Sequence, residues 1–239
     1  LYFLGVLLNE LWPLFQVLTD DSQDSVRLLA VDVSLALGEV LPVKSVTEAL
    51  LPIVLKLTSD RSWRVRYLVG ASFNGLVERV FARSSTPVDS LGLFCALLAD
   101  AEAEVRTATA RQLASTCAHF SAADFQSKIL LVLRTLASDA SVSVRSAVAT
   151  QLNPLSAIAG AELAQSALFP LYTHFFADES SQVRLNAVSK MDVVCGVMGV
   201  DRVATSILPA IVQLAQDKQW RVREAVTEHF PTLSQHLVN

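Results

Sequence analysis

Asp60-Arg61-Ser62-Trp63-Arg64-Val65-Arg66 is the stretch that decides the fold, because its frame returns down the whole chain. The frame is Asp-x4-Val-Arg. It runs from Asp21 to Arg27, Asp60 to Arg66, Asp100 to Arg106, Asp139 to Arg145, Asp178 to Arg184 and Asp217 to Arg223. Successive aspartates are 39, 40, 39, 39 and 39 residues apart. A fixed period of that length is the mark of a tandem array of supersecondary units. Four prolines move with it. Pro13, Pro52, Pro170 and Pro209 each stand eight residues before the aspartate, with Gly92 and Leu131 in the other two places.

Working outward from the marker, the apolar spacing is helical on both sides. Before it, Leu50, Ile53, Val54 and Leu57 follow i, i+3, i+4, i+7, and Ile207, Ala210, Ile211 and Leu214 repeat the pattern. After it, Val65, Leu68, Val69, Phe73, Leu76 and Val80 line one face of a second helix. Val222, Ala225, Val226, Phe230, Leu233 and Leu237 keep the same spacing. A proline eight residues before the turn fits the first turns of the first helix, where a missing N–H costs least. Each period is therefore a helix, a short turn carrying the aspartate, and an antiparallel second helix. One such pair cannot bury both stripes, so neighbours must stack into one continuous core. The six periods fall at about 9–44, 45–84, 85–124, 125–162, 163–201 and 202–239, a single all-α array. Gly70 and Gly75, inside the second helix of the second period, imply close helix packing or local flexibility.

Bulk properties agree. Apolar residues make up 52% of the 239, yet no run of eighteen is unbroken, so no membrane span is expected, and no secretory signature is visible. The net charge of −4 lacks the basic excess of a nucleic-acid binder. Cys95, Cys117 and Cys195 are odd in number and far apart, which suits reduced thiols in a cytoplasmic or nuclear protein. His119, His174, His229 and His236 show no metal-ligand spacing, and no nucleophile elbow or phosphate loop occurs. We therefore expect no catalytic residues, no cofactor and no metal.

The aspartate and arginine of each marker are six apart. The aspartate can accept from helix N–H groups, and the arginine can reach the aspartate of its own or the next period. Asp21, Arg27, Asp60, Arg66, Asp100, Arg106, Asp139, Arg145, Asp178, Arg184, Asp217 and Arg223 are thus read as a structural ladder. The residues inside each turn vary, so the fold does not fix them. Among them, Asp24, Arg61, Ser62, Trp63, Arg64, Glu102, Lys218, Trp220 and Arg221 form the candidate partner-binding set. Trp-Arg occupies the same register twice, and these residue types dominate binding hot spots. A tryptophan at a turn can equally pack back on its own helices.

Several segments carry a family resemblance. Asp24-Ser25-Val26-Arg27-Leu28-Leu29-Ala30-Val31, Ser62-Trp63-Arg64-Val65-Arg66-Tyr67, Ala103-Glu104-Val105-Arg106, Val183-Arg184-Leu185-Asn186, Ser206-Ile207-Leu208-Pro209-Ala210-Ile211-Val212 and Trp220-Arg221-Val222-Arg223 resemble the scaffold (A) subunits of protein phosphatase 2A. They occur in that family's order and spacing, from about Leu11 onward. The resemblance implies HEAT repeats in a right-handed α-solenoid, similar to the family's sixth through eleventh of fifteen. It also implies a non-catalytic scaffold that joins a regulatory (B-type) subunit to a catalytic subunit through its turns. By that likeness Trp63 and Arg64 match a regulatory-subunit contact, and Trp220 and Arg221 the first edge of the catalytic-subunit site. Leu11, Trp12 and Leu14 look uncapped for a terminal repeat, and six repeats hold only part of the catalytic-subunit footprint. Two other readings compete: a transport-receptor-like solenoid that cradles cargo on its concave side, and a HEAT-like DNA glycosylase, which would need a basic groove.

Overall fold

The computed structural model describes residues 7–189 and 208–238, with 7, 8 and 232–238 described by backbone alone. Cys195, Ile207 and the side chains of Leu233, His236 and Leu237 lie outside this set. The described residues are helical, with no strand. They form two compact units, Leu1–His119 and Phe120–Asn239, each a stack of helix pairs.

In the first unit, Trp12–Leu18 pairs with Asp24–Val40, and Leu51–Thr58 pairs with Trp63–Ala71 and its continuation Phe73–Leu76. Ser90–Leu98 then pairs with Ala103–Ala110 and Leu113–Cys117. In the second unit, Leu130–Ala137 precedes Val142–Leu163, Phe169–Phe176 precedes Ser181–Val188, and Leu208–Leu214 precedes Trp220–Val238. The apolar stripes meet inside each stack. Leu50, Val54, Leu57, Val65, Val69, Phe73, Leu76 and Val80 are buried, with Leu68 half-buried. Phe73 ties two pairs together through Phe94, its ring centroid 5.1 Å away. In the second unit Leu133, Leu136, Val148, Leu152 and Phe175 fill the same role.

The prolines sit elsewhere than the spacing suggests. Pro13, Pro52 and Pro170 open the α-helical part of their helices, but a π-helical turn precedes each one: Leu7–Leu11, Val46–Leu50 and Ala164–Leu168. The helix thus begins more than a turn earlier, and the wider turn accommodates a residue that has no N–H to give. Phe125–Ile129 makes the same turn before Leu130 without a proline, so the bend belongs to the repeat and the proline merely fits it.

Two further departures have local causes. The second helix of the second pair breaks at Ser72, whose φ of −105° and ψ of 8° leave the α-region. The two glycines flank that break. A Cβ on Gly70 would stand 2.2 Å from Thr109 Oγ1, so close packing is the reason for Gly70. Phe230 is 48% exposed, where its counterparts Phe73, Leu113 and Leu152 are buried. Val142–Leu163 runs through the end of one pair and into the next, turning only at Gly160, whose φ of +80° favours glycine.

Candidate protein-interaction ridge

Each marker turn is built the same way. The aspartate carboxylate accepts the backbone N–H two residues on: Gln23 to Asp21, Ser62 to Asp60, Glu102 to Asp100, Ser141 to Asp139, Ser180 to Asp178 and Gln219 to Asp217, all at 2.7–2.9 Å. This closes the turn and points the chain into the second helix. The arginine six residues on then donates Nη1 back to the carbonyl of its own aspartate. The distances are 2.8 Å for Arg27, Arg66, Arg106 and Arg145, 2.6 Å for Arg184 and 2.7 Å for Arg223.

The remaining guanidinium edge reaches forward. Arg27 Nε and Nη2 clamp the Asp60 carboxylate at 2.8 Å each, and Arg66 clamps Asp100 at 2.6 and 2.9 Å. In the second unit Arg145 holds Asp178 at 2.8 and 3.0 Å, and Arg184 holds Asp217 at 2.6 and 3.0 Å. The arginine therefore takes both partners that the spacing left open, its own aspartate through the carbonyl and the next through the carboxylate. The planar fork permits this where a lysine could not.

Electrostatics follow from this geometry. Burial pushes the Asp60, Asp100 and Asp178 carboxyls up, but the arginine hydrogen bonds and the turn N–H outweigh it and hold each below the ordinary value of 3.8. At Asp217 the Arg184 hydrogen bonds dominate, with the same result. Such pairs are tied to each other at both ends and have nothing left over for a ligand.

The variable residues of the turns lie outside this ladder. Trp63 is 41% exposed and Trp220 55%, each at the first position of its second helix. Neither is buried against its own helices. Around Trp63, Ser62 Oγ donates to Asp24 Oδ2 at 2.8 Å and Arg64 Nη1 approaches Asp24 Oδ1 at 3.4 Å. The Ser62 hydrogen bond, with the Arg64 charge, holds the Asp24 carboxyl below its usual value. Arg61 donates to the Ser22 carbonyl at 3.2 Å. Around Trp220, the Arg221 guanidinium lies over the indole, 5.4 Å from its centroid. Glu102 and Lys218 are exposed on their turns.

Thus Asp24, Ser62, Trp63 and Arg64 are brought together, whereas Lys218, Trp220 and Arg221 make a separate surface in the other unit. Tyr67 was missed in the sequence set. It is 36% exposed one helical turn after Trp63, and its i+4 spacing places both rings on one face. That spacing was available as a signal.

Among the described residues no group of three His, Cys, Asp or Glu side chains is placed to hold a metal ion. His119 Nε2 lies 3.1 Å from Asn74 Oδ1, and His174 Nε2 lies 3.0 Å from the Ala137 carbonyl. Burial, reinforced by Cys95, pushes the Cys117 thiol up to about 12, which makes it an inert core group. No helix is long and apolar enough to cross a membrane among the described residues.

Stacked helix pairs with a bidentate Asp–Arg ladder at their turns define an α-solenoid of the HEAT class. A "HEAT repeat" family model matches residues 207–237, and a "PPP2R1A-like HEAT repeat" model matches residues 84–160. Over these stretches the chain is similar to HEAT-repeat proteins of the PP2A-scaffold type. It is 45% identical over 74 residues to the regulatory A-subunit of protein phosphatase PP2A from Schizosaccharomyces pombe. It is 35% identical over 95 residues to the protein of the same name in Saccharomyces cerevisiae. These stretches take in 30% and 37% of this chain but only 12% and 15% of those relatives. Among solved structures, Cex1p superposes with a TM-score of 0.71 at 16% identity, over 98% of this chain and 45% of Cex1p. A designed armadillo repeat protein superposes with a TM-score of 0.58 at 18% identity, over 94% and 100%. At these identities the structural likeness speaks for the fold.

Proposed function

We propose that the chain is a non-catalytic scaffold that holds the regulatory (B-type) and catalytic subunits of a PP2A-type phosphatase against its turns. The observation that carries this reading is the pair of exposed tryptophans, Trp63 and Trp220, at one register of the repeat, each beside an arginine. The paired ladder residues are consumed by the fold, so the turn residues between them are what a partner would meet. Trp63, with Tyr67, Arg61 and Arg64, is the regulatory-subunit contact. Trp220, with Arg221 and Lys218, is the catalytic-subunit contact. Such a scaffold acts by proximity: it contributes no reacting group, and raises the effective concentration of one subunit near the other.

The test is a pull-down of purified phosphatase regulatory and catalytic subunits by wild type, by Trp63→Ala/Arg64→Ala and by Trp220→Ala/Arg221→Ala. Hot-spot residues of these types give losses of about 2 kcal/mol or more, roughly 30-fold in affinity. The first pair of substitutions should cost regulatory-subunit binding alone, and the second pair catalytic-subunit binding alone. Binding that ignores both pairs would remove the turns from the interface.

A further inference from the structure

The longest helix-free segment among the described residues is 82–89, Ala-Arg-Ser-Ser-Thr-Pro-Val-Asp, between the helical turn ending at Phe81 and the helix beginning at Ser90. It holds three consecutive hydroxyls, and the structure treats them differently. Ser84 Oγ is spent locally: it donates to the Thr86 carbonyl and accepts the Thr86 N–H, both at 3.0 Å. Ser85 is tied to Thr47 across the connection, with Oγ to Oγ1 at 3.1 Å and its N–H donating to Oγ1 at 2.9 Å. Of the three, the Thr86 hydroxyl alone makes no hydrogen bond among the described residues, and Thr86 is exposed. The next residue, Pro87, is also exposed and biases Thr86 toward extended backbone. A solvent-facing Thr-Pro in a helix-free connection is within reach of a protein kinase of the proline-directed class.

We infer that Thr86 is a phosphorylation site, and that its phosphate acts on the neighbouring Arg83. In the reaction Thr86 Oγ1 attacks the γ-phosphorus of magnesium-bound ATP. The bond from that phosphorus to the β–γ bridging oxygen breaks, ADP leaves, and the hydroxyl proton passes to the kinase's carboxylate base. The product carries about two negative charges and three strong acceptor oxygens at neutral pH.

Three residues upstream stands a cation already in use. Arg83 Nη2 donates to the Leu41 carbonyl at 2.8 Å, and Nη1 donates to the Gly38 carbonyl. These two carbonyls end the helix Asp24–Val40, so Arg83 caps the C-terminus of the preceding pair. A phosphate offers a guanidinium a stronger, charge-assisted pairing than two neutral carbonyls do. Phosphorylation therefore draws Arg83 off its cap and loosens the link between the first two pairs.

The test treats the folded chain with a proline-directed kinase and magnesium-ATP, maps the phosphate by mass spectrometry, and records thermal unfolding of both forms. A single phosphate on Thr86 is expected, lost in Thr86→Ala and in Pro87→Ala, with circular dichroism confirming that both variants fold. The phosphorylated form should unfold at a lower temperature, and that difference should vanish in Arg83→Ala. Phosphate on Ser84 or Ser85, or labelling of a peptide spanning 79–91 but not of the folded chain, would overturn the assignment. Phosphate on Thr86 with unchanged unfolding in wild type would overturn the action on Arg83.

Discussion

The turns at Trp63 and Trp220 share a register and an Arg neighbour, yet the two arginines do different things. Arg64 reaches back to Asp24, three residues past the preceding marker aspartate. The residue in that place before Trp220 is Ser181, and Arg221 makes no ion pair among the described residues. It lies over its own indole instead. The lesson is that the marker residues set a common backbone, while the neighbouring turn decides the chemistry of the surface. A surface residue in a repeat array has to be read against the repeat before it.

The sharpest way to break the comparison is to cross from the variable residues into the ladder. Arg145 and Asp178 are both buried, with side chains 7% and 4% exposed. Arg145→Ala would leave a buried carboxylate unpaired and free two carbonyls that Arg145 now satisfies. The expected loss is about 3–5 kcal/mol in urea unfolding. Arg64→Ala removes a solvent-screened pair at 3.4 Å and should leave the urea midpoint close to wild type. Equal losses would mean that the ladder and the ridge are not energetically distinct.

The next effect tests how tightly the pairs stack. Gly70→Ala drives a methyl to within 2.2 Å of Thr109 Oγ1 and should destabilise by roughly 1–3 kcal/mol. Thr109→Ala in the same chain removes the clashing atom and should recover most of that loss. Gly75→Ala meets only the flexible end of Leu35 at 3.1 Å, so the better helix propensity should leave it near neutral. Thermal unfolding of the three variants beside wild type decides between packing and flexibility as the role of each glycine.

Much of this was legible before the fold. The period, the two helices and the burial of Val65, Phe73 and Val144 follow from spacing alone, because a stacked pair leaves one face for solvent and the rest for the core. The partner of each arginine was not legible, since it depends on the distance between stacked turns, which no local pattern encodes. The π-helical turns before the prolines were hidden for a related reason: their hydrogen bonds shift by one residue while the side-chain stripe continues. Tryptophan exposure was undetermined too, because an indole after a turn satisfies a staple and an interface equally well, and only the neighbouring pair decides.

Acid should separate the ladder from the ridge more gently. Asp60, Asp100, Asp178 and Asp217 are held below their ordinary value in the fold. A carboxyl depressed by folding stabilises the native state above its unfolded value, near 3.9, and loses that contribution as the pH falls through its folded value. The urea midpoint should therefore hold from neutrality to about pH 4 and decline progressively below it. Arg66→Gln removes one rung and should make the decline shallower. A midpoint that rises on acidification would reverse the sign and remove the ladder as its cause.

The smallest effect sharpens the comparison most directly. If Arg64 is kept from Trp63 only by Asp24, then Asp24→Ala should release it to lie over the Trp63 indole, as Arg221 lies over Trp220. Stability should barely change, because Asp24, Arg64 and Trp63 are all at the surface. The readout is tryptophan fluorescence with Trp12 and Trp220 replaced by phenylalanine, so that Trp63 is the sole emitter. Asp24→Ala should quench and shift its emission, and adding Arg64→Ala should restore the original spectrum. An unchanged spectrum in Asp24→Ala would show that Ser62 and the helix start hold Trp63 away from any cation. The difference between the two turns would then lie in their own residues and not in the repeat before them.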